Sequence, residues 1–315
     1  MDDNPKPAIV ASHLTRTFPG VRAVDDLSFD VRPGEIFGLV GPDGAGKTTT
    51  LRMLAGVMPP DSGSATVADF DVVRDPEGAK LHLSYMPQRF GLYEDLTVDE
   101  NIRFYADLFG VDRTERATRS TELLAAAGMS EFRKRLAGKL SGGMKQKLGL
   151  VCALIHRPKV ILLDEPTTGV DPVSRRDFWK ILYNLVSEGV AILTSTAYLD
   201  EAERCHRVAL LNEGKLLFCD TPDNLKKHLG KGVLSITSSD PRQIYDTLKN
   251  AEGISSMMLT GDGVHAVVDD AARRIPAFTS SLKEAGVQFD ELHAVTPTIE
   301  DLFVDAVTSG VGRSA

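Results

Sequence analysis

Residues 41–48 read Gly-Pro-Asp-Gly-Ala-Gly-Lys-Thr and complete the spacing G-x-x-x-x-G-K-[ST]. The chemistry follows from those residue types at those intervals. Gly41, Gly44 and Gly46, with Asp43 and Ala45 between them, let backbone N–H groups close around a polyphosphate. Lys47 reaches the β and γ oxygens, and Thr48, with Thr49 beside it, offers a hydroxyl to Mg²⁺. A bound nucleoside triphosphate is implied. Far along the chain, Val160-Ile161-Leu162-Leu163-Asp164-Glu165 is an apolar run that ends in two carboxylates. There Asp164 is placed to hold Mg²⁺, often through water, and Glu165 to polarise an attacking water. A third set, Leu140-Ser141-Gly142-Gly143-Met144, precedes an apolar helix. Ser141 suits its N-cap, and a helix start with two glycines accepts anions.

These groups need a scaffold, and its elements are legible in outline. Strand alternation runs over 9–18 and 23–31, and an apolar strand over 35–40 delivers the chain into the glycine loop. Residues 47–55 continue as a helix whose N-terminus faces the phosphates. Further strands are expected at 65–70 and 81–86. Helical periodicity at 98–110, 116–128 and 130–136 then interrupts the sheet. Strands return at 160–163, 190–195, 208–211 and 215–219, alternating with helices at 141–156 and 174–187. That alternation predicts an α/β core with a largely parallel central sheet. Beyond Leu229-Gly230-Lys231-Gly232 the order becomes strand 233–237, helix 241–250, strand 254–259, strand 264–268, helix 271–285, strand 287–295. This βαββαβ order is that of the split-βαβ, ferredoxin-like unit, and a last helix covers 299–308. The expected division is residues 1–230, with a helical insert at about 98–150, and an accessory α+β domain at 231–315.

Composition narrows the classes. With 315 residues, 42% hydrophobic and 25% charged, the chain can bury a real core. Its formal net charge of −8 argues against nucleic acid as partner, since phosphate neutralisation needs clustered Lys and Arg. The short run Arg133-Lys134-Arg135 reads as a solvated helix face. Three cysteines, Cys152, Cys205 and Cys219, give neither an even disulfide framework nor a Cys-x-x-Cys pair, which fits a reducing cytoplasm. The start MDDNPKPAIV carries neither the basic nor the apolar region of a secretory signal. No apolar run approaches the 18 or so residues of a membrane span, so a membrane role has to come through a partner.

With the glycine loop, the Asp164–Glu165 pair and Ser141-Gly142-Gly143 in that order, the chain resembles the ATP-binding subunits of ABC transporters over roughly residues 8–225. The resemblance implies a phosphate-loop NTPase cassette with a β subdomain and a helical subdomain beside the mixed sheet. It also implies roles for residues that spacing alone does not reveal. Phe18 matches the aromatic that stacks on adenine. Gln88, in Tyr85-Met86-Pro87-Gln88, matches the glutamine that senses Mg²⁺ and touches the membrane partner. Asp171, in Gly169-Val170-Asp171-Pro172, matches the aspartate that crosses to a second nucleotide-binding subunit. ATP would be held between Lys47 and Thr48 of one protomer and Ser141 and Gly143 of its mate, in a homo- or heterodimer. Polytopic permease subunits would dock on residues 89–98 and the helical insert, placing the chain at the cytoplasmic face of the membrane. The Tyr-Glu-Asp-Leu-Thr run at 93–97 and residues 296–303 resemble those of bacterial drug-efflux exporters of the ABC-2 type.

Two positions depart from the family pattern. Met144 replaces the commoner glutamine and leaves Ser141 and Gly143 intact. Ala197, in Ser195-Thr196-Ala197-Tyr198, stands where the family places a histidine on the γ-phosphate. Alanine has no donor, and the loss of such a preorganised contact costs about 10²–10³ in turnover. Either a backbone group, Ser195, Thr196 or a water replaces it, or the site is weakened and works beside an intact partner. A non-catalytic nucleotide-binding regulator is the alternative.

Overall fold

The computed structural model describes residues 6–310, so half of the N-terminal stretch read for a signal lies outside the described residues. The chain opens with β1 (Ile9–Phe18), β2 (Val21–Val31), β3 (Ile36–Val40), α1 (Lys47–Leu54), β4 (Ser62–Val67) and β5 (Phe70–Asp71). It continues through α2 (Pro76–His82), β6 (Leu83–Met86), α3 (Val98–Leu108), α4 (Arg113–Ala126) and α5 (Gly142–Leu154). Then come β7 (Val160–Asp164), α6 (Pro172–Ser187), β8 (Ala191–Thr196), α7 (Leu199–Ala202), β9 (Arg207–Asn212), β10 (Lys215–Asp220) and α8 (Pro222–His228). The last stretch is β11 (Gly232–Thr237), α9 (Pro241–Leu248), β12 (Ile254–Leu259), β13 (Gly263–Val268), α10 (Ala271–Glu284), β14 (Glu291–Val295) and α11 (Ile299–Thr308).

Three sheets result. The central one has the order β10-β9-β3-β8-β7-β6, parallel throughout except for the β9–β10 hairpin. An antiparallel sheet of order β2-β1-β4-β5 packs beside it. The third, β12-β13-β11-β14, is wholly antiparallel, with the strand order of a ferredoxin-like unit.

Strands β3 and β7 are buried on both faces, as parallel strands between helical layers must be. Period-2 alternation sends their side chains into two separate cores. Phe37, Leu39, Val160 and Leu162 meet Leu51, Met53 and Leu54 of α1, whereas Ile36, Val40, Ile161 and Leu163 meet Leu150, Leu154 and Leu182 on the other side. The same alternation turns Asp164 and Ser195, the next residues in phase with Leu162 and Leu193, toward α1. The third sheet has its own core of Leu234, Ile236, Ile244, Phe278 and Leu282. Its opposite face contributes Val233 and Val267 to the main core, where Ile299 and Leu302 of α11 also lie. α11 packs against both α7 and α8. His265 Nδ1 meets Asp301 Oδ1 at 3.0 Å and Lys231 Nζ donates to Asp305 Oδ2 at 2.8 Å, fastening α11 to the third sheet.

Several expected boundaries are corrected. The strand expected at 65–70 breaks because Ala68 and Asp69 both adopt positive φ in a turn. The one at 81–86 begins only at Leu83, because Asp75 caps Gly78 N and Pro76 opens α2 ahead of it. The helix expected over 130–136 is a single 3₁₀ turn at 130–132. Arg133 and Arg135 instead give their carbonyls to Asp99 N and Val98 N, satisfying the open start of α3. The Arg133 guanidinium pairs with Asp99 at 3.0 Å and with Ser120 and Thr121, so Arg133 is a clamp, while Lys134 and Arg135 are exposed as a solvated face requires. The strand expected from 287 starts at Glu291.

Candidate functional site

The carboxyl ends of β3, β7 and β8 meet at the start of α1. Gly46 caps α1 with φ +98, and a Cβ there would drive into the Ala23 carbonyl oxygen; one at Gly41 would meet that of Leu211. Glycine is therefore required for the loop to close under β2 and β9. Asp43, Gly44, Ala45, Gly46, Lys47, Thr48 and Thr49 line a cleft of about 470 Å³ that also takes in Phe18, Gln88 and Glu165. Phe18 stands at its rim, 36% exposed, with the Arg16 guanidinium 5.3 Å from its ring centroid.

Lys47 is only 4% exposed. Its ammonium donates to Gly41 O at 2.7 Å and Pro42 O at 3.1 Å, and lies 3.4 Å from Glu165 Oε1. Glu165 Oε2 accepts from Gln88 Nε2 at 3.1 Å and Thr168 Oγ1 at 3.4 Å. Glu165 also holds φ +48, a left-handed conformation that is strained for a side chain of this size. Asp164, buried, accepts from Thr48 Oγ1 at 3.0 Å, Ser195 Oγ at 2.7 Å and Tyr85 Oη at 3.4 Å. Burial, then the Asp164 charge, pushes the Tyr85 phenol above its ordinary value of 10.0, which keeps it a donor. Thr48, Asp164 and Gln88 present hydroxyl, carboxylate and amide oxygen. That set suits Mg²⁺, which takes one or two carboxylates and completes its shell with phosphate and water rather than with a protein cage.

Ser141, Gly143 and Asp171 are not in this cleft. Ser141 caps α5 through Met144 N at 3.3 Å, and Asp171 caps α6 through Val173 N and Ser174 N. A Cβ at Gly143 would collide with Ser174 and approach Asp171 Oδ2, so the two helix starts form one separate patch.

Around Ala197 one of the side-chain substitutes named from sequence, Ser195, has its proton engaged, and Thr196 is engaged as an acceptor alone. Ser195 Oγ, besides its bond to Asp164, accepts from Glu165 N at 3.0 Å, and Thr196 Oγ1 accepts from Tyr198 N at 3.0 Å. Ala197 itself is exposed. His206 accepts from Ile36 N at 3.0 Å at the base of β3, a structural task. Ser195 and Tyr85 as partners of Asp164 escaped sequence reasoning, because only the Asp164–Ser195 register of β7 with β8 brings the first into place. Buried Glu201 in α7 was also missed. It accepts from Thr167 Oγ1 at 2.5 Å and lies 3.6 Å from Arg175, tying the segment after Ala197 to the loop that leads to Asp171.

The ABC transporter family profile matches residues 24–168. The chain is 44% identical, over 97% of its length, to the probable multidrug ABC transporter ATP-binding protein YbhF of Escherichia coli (strain K12), of which it spans about half (53%). It is 33% identical to the daunorubicin resistance ATP-binding protein DrrA2 of Streptomyces coeruleorubidus, covering 94% of each chain. With the Nod factor export ATP-binding protein I of Burkholderia thailandensis it shares 38% identity over 89% of this chain and 90% of that one. Among solved structures, an ATP-binding subunit of an ABC transporter superposes with a TM-score of 0.65 at 29% identity, covering 71% of this chain and 93% of that one. The ATP-binding cassette MJ0796, a dimer bound to ADP and Pi, shares the fold at a TM-score of 0.61 and 23% identity, covering 68% and 98%. No helix among the described residues is long and apolar enough to cross a membrane. On its motifs, its fold and these likenesses, the chain belongs to the ATP-binding proteins of the ABC transporter family.

Proposed function

We propose that this chain binds and hydrolyses ATP with Mg²⁺ to power a membrane exporter, docked through permease subunits on the cytoplasmic face. The observation that carries the reading is the convergence of Lys47, Thr48, Asp164, Glu165 and Gln88 on one cleft. Phe18 would stack on the adenine, and the N–H groups of residues 43–49 would take the phosphates. Lys47 would leave Glu165 for the β and γ oxygens, freeing that carboxylate to accept a proton from the attacking water. Mg²⁺, held by Thr48, Asp164 and Gln88, would supply the positive charge that offsets charge building on the phosphates. Ser141, Gly143 and Asp171, outside this cleft, would complete the site of a second cassette. The names of the relatives, which refer to multidrug, daunorubicin and Nod factor proteins, support export rather than uptake. The exposed side chains of Tyr93, Phe104 and Leu108, the first two edge to face with ring centroids 4.6 Å apart, offer a permease an apolar seat. Residues 231–315 would act as an accessory, regulatory domain joined to the cassette through α11.

Ala197 favours slow turnover, because Ser195 already gives its proton to Asp164 and leaves the Thr196 hydroxyl, which accepts from Tyr198 N, as the one side-chain donor of the two. Steady-state ATPase activity of the purified chain, beside Glu165→Gln and Ala197→His, tests the reading. Activity should vanish in the first variant and rise at least tenfold in the second. A wild-type chain that binds ATP without cutting it, and gains nothing from Ala197→His, would instead mark a subunit that depends on a catalytic partner.

A further inference from the structure

A second cavity, of about 410 Å³, opens at the other end of the central sheet. Arg157, Pro158 and Lys159 lead into β7, Gly189 and Val190 into β8, and Pro33 lies ahead of β3. The glycine loop, Asp164 and Ser195 lie at the opposite ends of the same strands. A five-residue strand such as β7 separates the two ends by about 16 Å, so the cavities cannot share a small ligand.

Its wall has two characters. Leu154, Leu185 and Val190 form an apolar floor, and three prolines, Pro7, Pro33 and Pro158, add rigid wall without N–H donors. The donors are therefore mainly side chains, and the cationic ones, Lys6, Arg119, Arg157 and Lys159, outnumber the acidic Asp69 and Glu188. Two of the four cations are matched, Lys6 by Asp69 and Arg157 by Glu115 at 3.1 Å. Arg119 is not matched in this way. One of its terminal nitrogens donates to Leu154 O at 2.9 Å, while its Nε is buried without a hydrogen-bond partner. Burial, then the nearby Arg157 charge, holds its pKa below the usual arginine value against the opposing pull of Glu122, Glu115 and Glu188, and the guanidinium stays charged. The rest of the guanidinium is partly exposed, lines the cavity and has no carboxylate bonded to it, so an incoming anion would gain a charge-assisted hydrogen bond there. The apolar floor rewards a ligand that also carries a body to bury.

We propose that this cavity binds a small amphipathic organic anion, an aryl or short alkyl body bearing a carboxylate, sulfonate or phosphate. Arg119 and Lys159 take the head group, and Leu154, Leu185 and Val190 take the body. The site is separate from the nucleotide cleft and independent of whether ATP is hydrolysed.

The probe is 8-anilinonaphthalene-1-sulfonate, an aryl sulfonate that brightens on leaving water, titrated into the full chain. The expected result is one site per chain that saturating ATP and Mg²⁺ do not displace. Arg119→Gln should weaken it about tenfold, the effect of losing one charge-assisted hydrogen bond. Glu188→Gln, which removes an opposing charge, should tighten it about threefold at an unchanged one site per chain, whereas a partly unfolded chain would offer the dye many weak sites. Binding of a fluorescent ATP analogue at wild-type strength shows that each variant is folded. Equal dye affinity in all three chains, or displacement by ATP, would overturn the proposal. Inorganic sulfate competing as strongly as the dye would overturn the assignment of an apolar body.

Discussion

The Lys47–Glu165 contact predicts that Glu165→Gln tightens ATP binding as well as stopping hydrolysis. The ammonium lies 3.4 Å from Glu165 Oε1, with the two side chains 4% and 13% exposed. At an effective dielectric of about 20 that separation corresponds to about 5 kcal/mol of Coulomb attraction. Desolvation cancels most of it, and a net of about 1.5 kcal/mol is typical of a hydrogen bond to a charged group. On the proposed function Lys47 would give up this interaction in turning to the phosphates, whereas its bonds to Gly41 O and Pro42 O are not altered by the substitution. Replacing the carboxylate with an amide should therefore lower the dissociation constant for a non-hydrolysable ATP analogue about tenfold. Turnover should fall by about 10²–10⁴, the usual worth of a general base. The assay is a fluorescent-analogue titration of both chains at low and high salt. The ratio of affinities should persist in salt, because the pair is shielded from solvent. An unchanged or weaker affinity in the variant would refute the idea that Glu165 holds Lys47 back from nucleotide.

Ser195→Ala removes the bonds to Asp164 and Glu165 N; ATPase measurements should show kcat down about 10–100-fold with KM little changed, as expected when reacting groups shift by an ångström or less. The hydrogen bond with Asp301 raises the pKa of His265 above its ordinary 6.5. Stability from that shift is fully present below 6.5 and is lost as pH rises through the raised value. Burial opposes ionisation of Asp301, yet hydrogen bonds from His265 and Thr298 leave its pKa below 3.8, so its share is lost only in acid. Thermal unfolding from about pH 6 to about pH 9 should therefore destabilise the wild type more than His265→Gln. Cys152 and Cys205 are buried with thiol pKa values pushed up by that burial, so a thiol reagent should label one cysteine, Cys219, in the native chain and three after unfolding.

Much of the scaffold was legible because its signals are local. Strand periodicity gave β1 residue for residue, and the Thr97 capping box begins α3 where the helical pattern starts. Where the reading failed, a long-range contact had overruled local pattern. Residues 133–136 look helical, but their carbonyls serve the start of α3 and their arginine serves Asp99.

The sequence by itself determined which groups could meet a triphosphate, since residue type and spacing along one loop and one strand end specify them. It also determined the fold class, through the order of strands and helices. Which of those groups meet was decided by the tertiary structure. Parallel pairing of β7 with β8 sets Ser195 against Asp164, α1 brings Thr48 to the same carboxylate, and Glu165 turns back on Lys47. Ser141 and Asp171 are as prominent in the sequence, but the fold sets them on a separate patch. Hydrogen bonds and ion pairs act over a few ångströms, and distance along the chain does not report distance in space.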